Sequence, residues 1–224
     1  VAGVVGQILL GAVVVWSHLN PWLVQGHFVL SMVLVANAIV LHHRAGLPDD
    51  AVLRPVVPRE VRRAGAVLVG MATVVLLTGT LVTGSGPHSG HNEDDVQAIQ
   101  RLPIDVADAA RVHGVTVVVL LAVVLWVLVA RRRRSSPEPI HTASNALLTV
   151  VVLQGAVGYT QYFTGVPPLL VALHIFGACL VWLASLNLLL HMRAPLGSDE
   201  PGPQESPRGR VDRDPLSSGD LVAD

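Results

Sequence analysis

Residues 7–27 read QILLGAVVVWSHLNPWLVQGH, and residues 154–174 read QGAVGYTQYFTGVPPLLVALH. Both fit Gln-x3-Gly-x9-Pro-x5-His without a gap, through Gln7, Gly11, Pro21 and His27 and through Gln154, Gly158, Pro168 and His174. Each copy is an apolar segment, a turn holding the proline, and a second apolar segment whose second turn carries a histidine. So long an ungapped match indicates two homologous halves, each setting one histidine at the same depth.

Working outward, the apolar residues fall into runs about twenty long, more than a water-soluble helix needs. The chain is 51% hydrophobic and 14% charged, with a mean hydropathy of +0.57. The expectation is an all-α polytopic membrane protein with spans at 2–17, 22–41, 64–83, 110–130, 143–163 and 168–190. Each of the last five is long enough to cross a hydrocarbon core of about 30 Å. Tight connections between the first and second spans, and between the fifth and sixth, make antiparallel hairpins. The single cysteine, Cys179, excludes an intrachain disulfide and argues against a cysteine metal site. Val1 lies within an apolar segment, so we read the chain as a piece of a longer protein.

Arginine placement sets an expected orientation. Arg44, Arg54, Arg59, Arg62 and Arg63 fall in the 42–63 loop and Arg131 to Arg134 follow the fourth span, whereas the 84–109 loop is acidic. The positive-inside rule makes the arginine loops cytoplasmic and turns the acidic loop and both proline turns outward. Residues 191–224 are expected to be a disordered cytoplasmic tail.

Ten histidines are present. His27, His113 and His174 fall on the three even-numbered spans near their outer ends, and an imidazole at membrane depth points to function. Imidazole suits haem iron, zinc or copper, but no carboxylate, cysteine or histidine lies three or four residues beyond any of the three to complete a compact cluster. One histidine from each of two helices is the arrangement that clamps a haem. Small residues nearby (Ser31, Gly114, Gly177, Ala178) would leave room for a macrocycle, or serve helix packing. His42, His43, His141 and His191 read as surface residues at cytoplasmic helix ends. His18 reads as structural, His88 as a ligand-facing or plain loop residue, and His91 as a loop residue. Arg101 and Arg111 could pair with haem propionates or serve as interfacial arginines.

Three stretches carry a resemblance: Thr83-Gly84-Ser85-Gly86-Pro87-His88, the run Gln154 to Tyr162, and the run Gly165 to His174. Together they resemble the haem A synthase family over about residues 3–191. The resemblance implies eight transmembrane helices in two pseudo-symmetric four-helix bundles, of which this chain holds the last six. On that footing residues 1–41 are the second half of the N-terminal bundle, 42–63 a cytoplasmic loop and 64–190 the C-terminal haem-binding bundle. The implied activity is oxidation of the C8 methyl of haem O to a formyl group, giving haem A for terminal oxidases. His113 and His174 would ligate a haem b, and His27 would be a catalytic-half histidine near the substrate. Haem O would be the substrate, delivered by haem O synthase. The first histidine of the catalytic half and an outer-loop glutamate have no counterpart here. A chain of this extent would keep a bis-histidine haem but not carry out the oxidation alone. The expected place is the cell membrane, with haem sites near the outer face, no nucleic-acid partner, and a homo-oligomer left open. A membrane cytochrome b that only transfers electrons is the rival reading. A repeat-built transporter is disfavoured, because the repeat has parallel topology and no span has a central charge or a Gly-Pro break.

Overall fold

A computed structural model describes residues 1–87, 101–133 and 136–196. Six helices follow in order: α1 (Ala2–Trp16), α2 (Pro21–Ala45), α3 (Arg59–Ser85), α4 (Val106–Arg132), α5 (Glu138–Phe163) and α6 (Pro168–His191). The last five are long and apolar enough to cross a membrane, so the chain is an all-α polytopic membrane protein. Helix α1 has 15 residues and spans roughly 22 Å.

The helix ends follow local chemistry. Pro21 and Pro168 open α2 and α6, where a missing N–H costs nothing. Asn20 caps α2 by accepting from Trp22 N at 3.0 Å, and Asp105 caps α4 by accepting from Ala107 N at 2.8 Å. At the arginine-rich end the helices run past the expected spans: α2 continues to Ala45 and α3 begins at Arg59. Polar side chains at a helix end reach water, so the helix need not stop where the apolar run stops.

The two proline hairpins match to the backbone. After α1, His18 and Leu19 take positive φ (52° and 59°); after α5, Gly165 and Val166 do the same (78° and 61°). Leu19 N donates to Val14 O at 3.0 Å, and at the equivalent positions Val166 N donates to Gln161 O at 2.9 Å. Both helices thus end in the same left-handed cap.

Helices α3, α4, α5 and α6 close a ring in which each packs on the next and α6 returns to α3, leaving α4 diagonal to α6. Helix α2 lies against α6 and α3, and α1 packs only on α2. Trp182 Nε1 of α6 donates to Met32 O of α2 at 3.0 Å, joining the α1–α2 hairpin to the ring. The core runs through Val61, Leu68, Leu120, Val124, Leu147 and Leu188.

One expectation needs correction. The 42–63 loop contains a strand, β1 (Leu53–Pro55), that pairs antiparallel with β2 (Arg193–Pro195), inside what was expected to be a disordered tail. Val56 N donates to Met192 O at 3.1 Å, and Met192 is fully buried. Three-residue strands holding a proline carry no sequence period, and edge pairing tolerates the proline. The rest of the expected tail, 197–224, lies outside the described residues. His141, expected at the surface beside arginines, is half-exposed. It bonds Arg131 Nη1, which also donates through Nη2 to Asn145 Oδ1 at 2.6 Å, and Arg131 is only 2% exposed.

Candidate haem-ligand pair

Helix numbering fixes the depth of the three membrane histidines. His27 and His174 lie six residues past Pro21 and Pro168, and His113 lies seven past Val106. At about 1.5 Å per residue all three sit roughly 9–10 Å inside their helices.

Each imidazole rests on a glycine of the preceding helix. A Cβ built on Gly11 would lie 3.2 Å from Cε1 of His27, on Gly79 3.2 Å from Cε1 of His113, and on Gly158 2.9 Å from Cε1 of His174. All three hairpins therefore share one device, a glycine seat on the odd helix for a histidine on the even helix. The repeat shows two of them. The third, Gly79, was missed, because Val75 stands where the glutamine would be.

The glutamines of the repeat also bond the histidines. Gln154 Nε2 donates to His174 O at 2.7 Å and lies 3.1 Å from Nδ1. Gln7 Nε2 donates to His27 O at 3.1 Å, lies 3.2 Å from His27 Nε2, and bonds Ser31 Oγ. His113 uses Thr78, whose Oγ1 is 3.1 Å from Nδ1. Two residues expected to clear space for a macrocycle serve these contacts instead. Ser31 engages Gln7, and a side chain on Gly177 would collide with the amide of Gln154.

His113 and His174 are brought together. Their ring centres are 6.4 Å apart with planes at 78°, although α4 and α6 do not themselves pack. A metal-bound imidazole nitrogen sits about 2 Å from the metal, with the ring centre roughly 1 Å further, so two imidazoles on opposite sides of one metal have centres about 6 Å apart. Both Nδ1 atoms are engaged within the protein, while no described residue bonds either Nε2. A metal-ligating imidazole donates its other N–H to an acceptor, which Thr78 Oγ1 can be for His113; the Gln154 amide nitrogen only donates, so ligation by His174 Nε2 requires that amide to turn its Oε1 toward Nδ1–H. The pair, its spacing and its glycine-lined seats fit a bis-imidazole haem.

That geometry meets an independent finding: a family described as cytochrome oxidase assembly protein, COX15-CtaA, matches residues 1–186. The chain belongs to this family. The haem A synthase resemblance read from the motifs is thereby upheld, and with it a role in oxidase assembly through haem A biosynthesis. No curated protein and no solved structure matches the chain.

The other expected site residues are placed as follows in this haem A synthase family member. His27 stands apart from the pair, with its Nδ1 and Gln7 Oε1 buried and unpartnered among the described residues. Arg111 pairs with Asp108 at 2.5 Å, the two side chains being 76% and 65% exposed. Arg101 is exposed just before the buried Leu102. His88 and His91 lie outside the described residues. Among the described residues no three metal-binding side chains converge.

Proposed function

We propose that this chain carries the haem b site of a haem A synthase, with His113 and His174 as its axial ligands and His27 on the side that handles substrate haem O. The carrying observation is the pair of imidazoles with ring centres 6.4 Å apart, presented from diagonal helices. The net chemistry is oxidation of the C8 methyl of haem O to a formyl group, R–CH3 + H2O → R–CHO + 4 H+ + 4 e–, the electrons passing to an external acceptor. When bound, haem b supplies an electron-transfer centre.

The chain's own residues position, seat and enclose. Gln154 and Thr78 hold the two Nδ1 atoms, and Gly158 and Gly79 let the rings lie close against α5 and α3. Trp182, Met32 and Val181 pack the α2–α6 contact between the His27 side and the ring, excluding water there. Gln7 and Gly11 meet His27 at the backbone oxygen and Cε1 as Gln154 and Gly158 meet His174, but Gln7 faces the ring at Nε2 and leaves Nδ1 unpartnered among the described residues. Arg111, salt-bridged to Asp108, or Arg101 would meet propionates at the same end of the molecule.

The test is to purify the full-length parent protein from membranes, record its optical spectrum, supply haem O and chromatograph the extracted haems. A bis-histidine b-type spectrum with hydroxylated or formyl haem is expected. A b-type spectrum without either product would point instead to an electron-transferring cytochrome. His174→Ala should abolish the b-type haem, and unchanged haem stoichiometry would remove it as a ligand.

A further inference from the structure

Gln154 and Thr78 differ in kind and in place, and the difference falls on the angle between the two imidazoles. Gln154 sits four residues before its seat glycine, Gly158; Thr78 sits one residue before Gly79, and the position four before Gly79 is Val75. Each anchor is itself fixed. Gln154 reaches the backbone of its own histidine at 2.7 Å, through space that a side chain on Gly177 would fill. Thr78 Oγ1 lies 3.0 Å from both Val74 O and Thr116 Oγ1, and Thr116 Oγ1 donates to His113 O at 2.8 Å. Thr78 Oγ1 can accept from His113 Nδ1–H, and Gln154, whose amide nitrogen only donates, would turn its Oε1 to His174 Nδ1–H once Nε2 holds iron; the two anchors come from different helices at different registers, and the ring planes stand at 78°.

We infer that Gln154 and Thr78 are positioning residues that hold the axial imidazoles of the proposed haem site crossed. This rests on the reading of His113 and His174 as haem ligands. Ring orientation matters because each imidazole donates π density only perpendicular to its plane. Parallel rings load one of the two iron dπ orbitals and split the pair. Crossed rings load both nearly equally, leave the pair close in energy, and give a highly anisotropic low-spin ferric signal. Hydrogen bonds behind axial ligands are one of the levers by which a protein sets ring orientation and potential.

The experiment is low-temperature electron paramagnetic resonance of the oxidised, haem-containing full chain, with a redox titration and haem quantification on each variant. The wild type is expected to show the highly anisotropic low-spin signal. Gln154→Leu and Thr78→Val, at retained haem content, should each move that signal toward the rhombic form and shift the midpoint potential. Thr78→Ser, which keeps the hydroxyl, should restore both. Thr78→Val carries the test if Gln154→Leu loses its haem. A rhombic wild-type signal, or haem-replete variants unchanged in both signal and potential, overturns the positioning role while leaving the ligand pair standing. A wild type without low-spin ferric haem, or His174→Ala with its haem intact, overturns the ligand reading and this inference with it.

Discussion

Glycine seats make the residue scale testable, because one of the three would bring a methyl group closer to its histidine than the other two. Gly158→Ala would press on His174 Cε1 from 2.9 Å, closer than real Cβ contacts, whereas Gly79→Ala and Gly11→Ala would sit at 3.2 Å from their histidines. The expected order of haem loss at the His113–His174 site is therefore Gly158→Ala before Gly79→Ala, with Gly11→Ala leaving that site's spectrum unchanged. Pyridine haemochrome quantification of purified variants checks it. Gly70 and Gly155 have open space where a Cβ would go. Alanine there should keep haem content and leave stability equal or higher by about 0.5–1 kcal/mol, since alanine is the better helix former. His18 offers the converse case. It holds φ 52° where the second copy has Gly165, so His18→Gly should relieve about 1 kcal/mol of left-handed strain, read as a higher thermal midpoint in detergent. Of these features, the histidines and the glutamines were visible in the repeat as letters. Their contact was not, because a spacing gives a face and a depth but not which side chain on the neighbouring helix meets it.

At the scale of elements, the α2–α6 contact joins the two halves of the chain. Trp182 is buried and donates to Met32 O at 3.0 Å. Trp182→Ala should destabilise by about 3–5 kcal/mol through the cavity it leaves, and Trp182→Phe by about 1 kcal/mol through the lost hydrogen bond. Thermal unfolding followed by tryptophan-independent dye binding would rank the two. The β1–β2 pair acts at the opposite end, fastening the stretch between α2 and α3 to the residue after α6. Gly65 faces Met192, and a Cβ there would lie 2.6 Å from the methionine methyl. Gly65→Leu should therefore displace Met192 and loosen the strand pair, seen as faster proteolysis between residues 46 and 58. The hairpins and their prolines were legible beforehand, since a turn proline at the first helical position has a local cause. The strand pair was not, because its partners are 138 or more residues apart and each is too short to show a period.

Over the whole molecule, the helix directions gather charge and chemistry at opposite ends. His27, His113 and His174 share a depth near one end, while Arg44, Arg54, Arg59, Arg131 and Arg193 sit at the other with the strand pair. The positive-inside rule predicts that the arginine end is cytoplasmic. A reporter domain fused after residue 196 should then be active only as a cytoplasmic reporter, and a periplasm-active fusion there would invert the orientation. Exposed apolar side chains on α1 (Ile8, Leu9, Val15, Trp16) and on α4 (Val115, Val118) suit a lipid or helix neighbour, as a membrane protein requires.

The sequence by itself determined the membrane class, the helix count, the duplication and the depth of the three histidines. Those follow from local causes: runs of apolar residues, prolines at helix starts, and a repeat kept in register. The pairing of His113 with His174 was implied by the family resemblance and not by the repeat, and the tertiary structure is what brings the two rings together. His27 and His174 are the matched pair in sequence, yet His174 meets His113, because ring closure through α3 places α4 and α6 on one diagonal. It also decided the 78° between their planes, which depends on whether a threonine or a glutamine reaches across from the next helix.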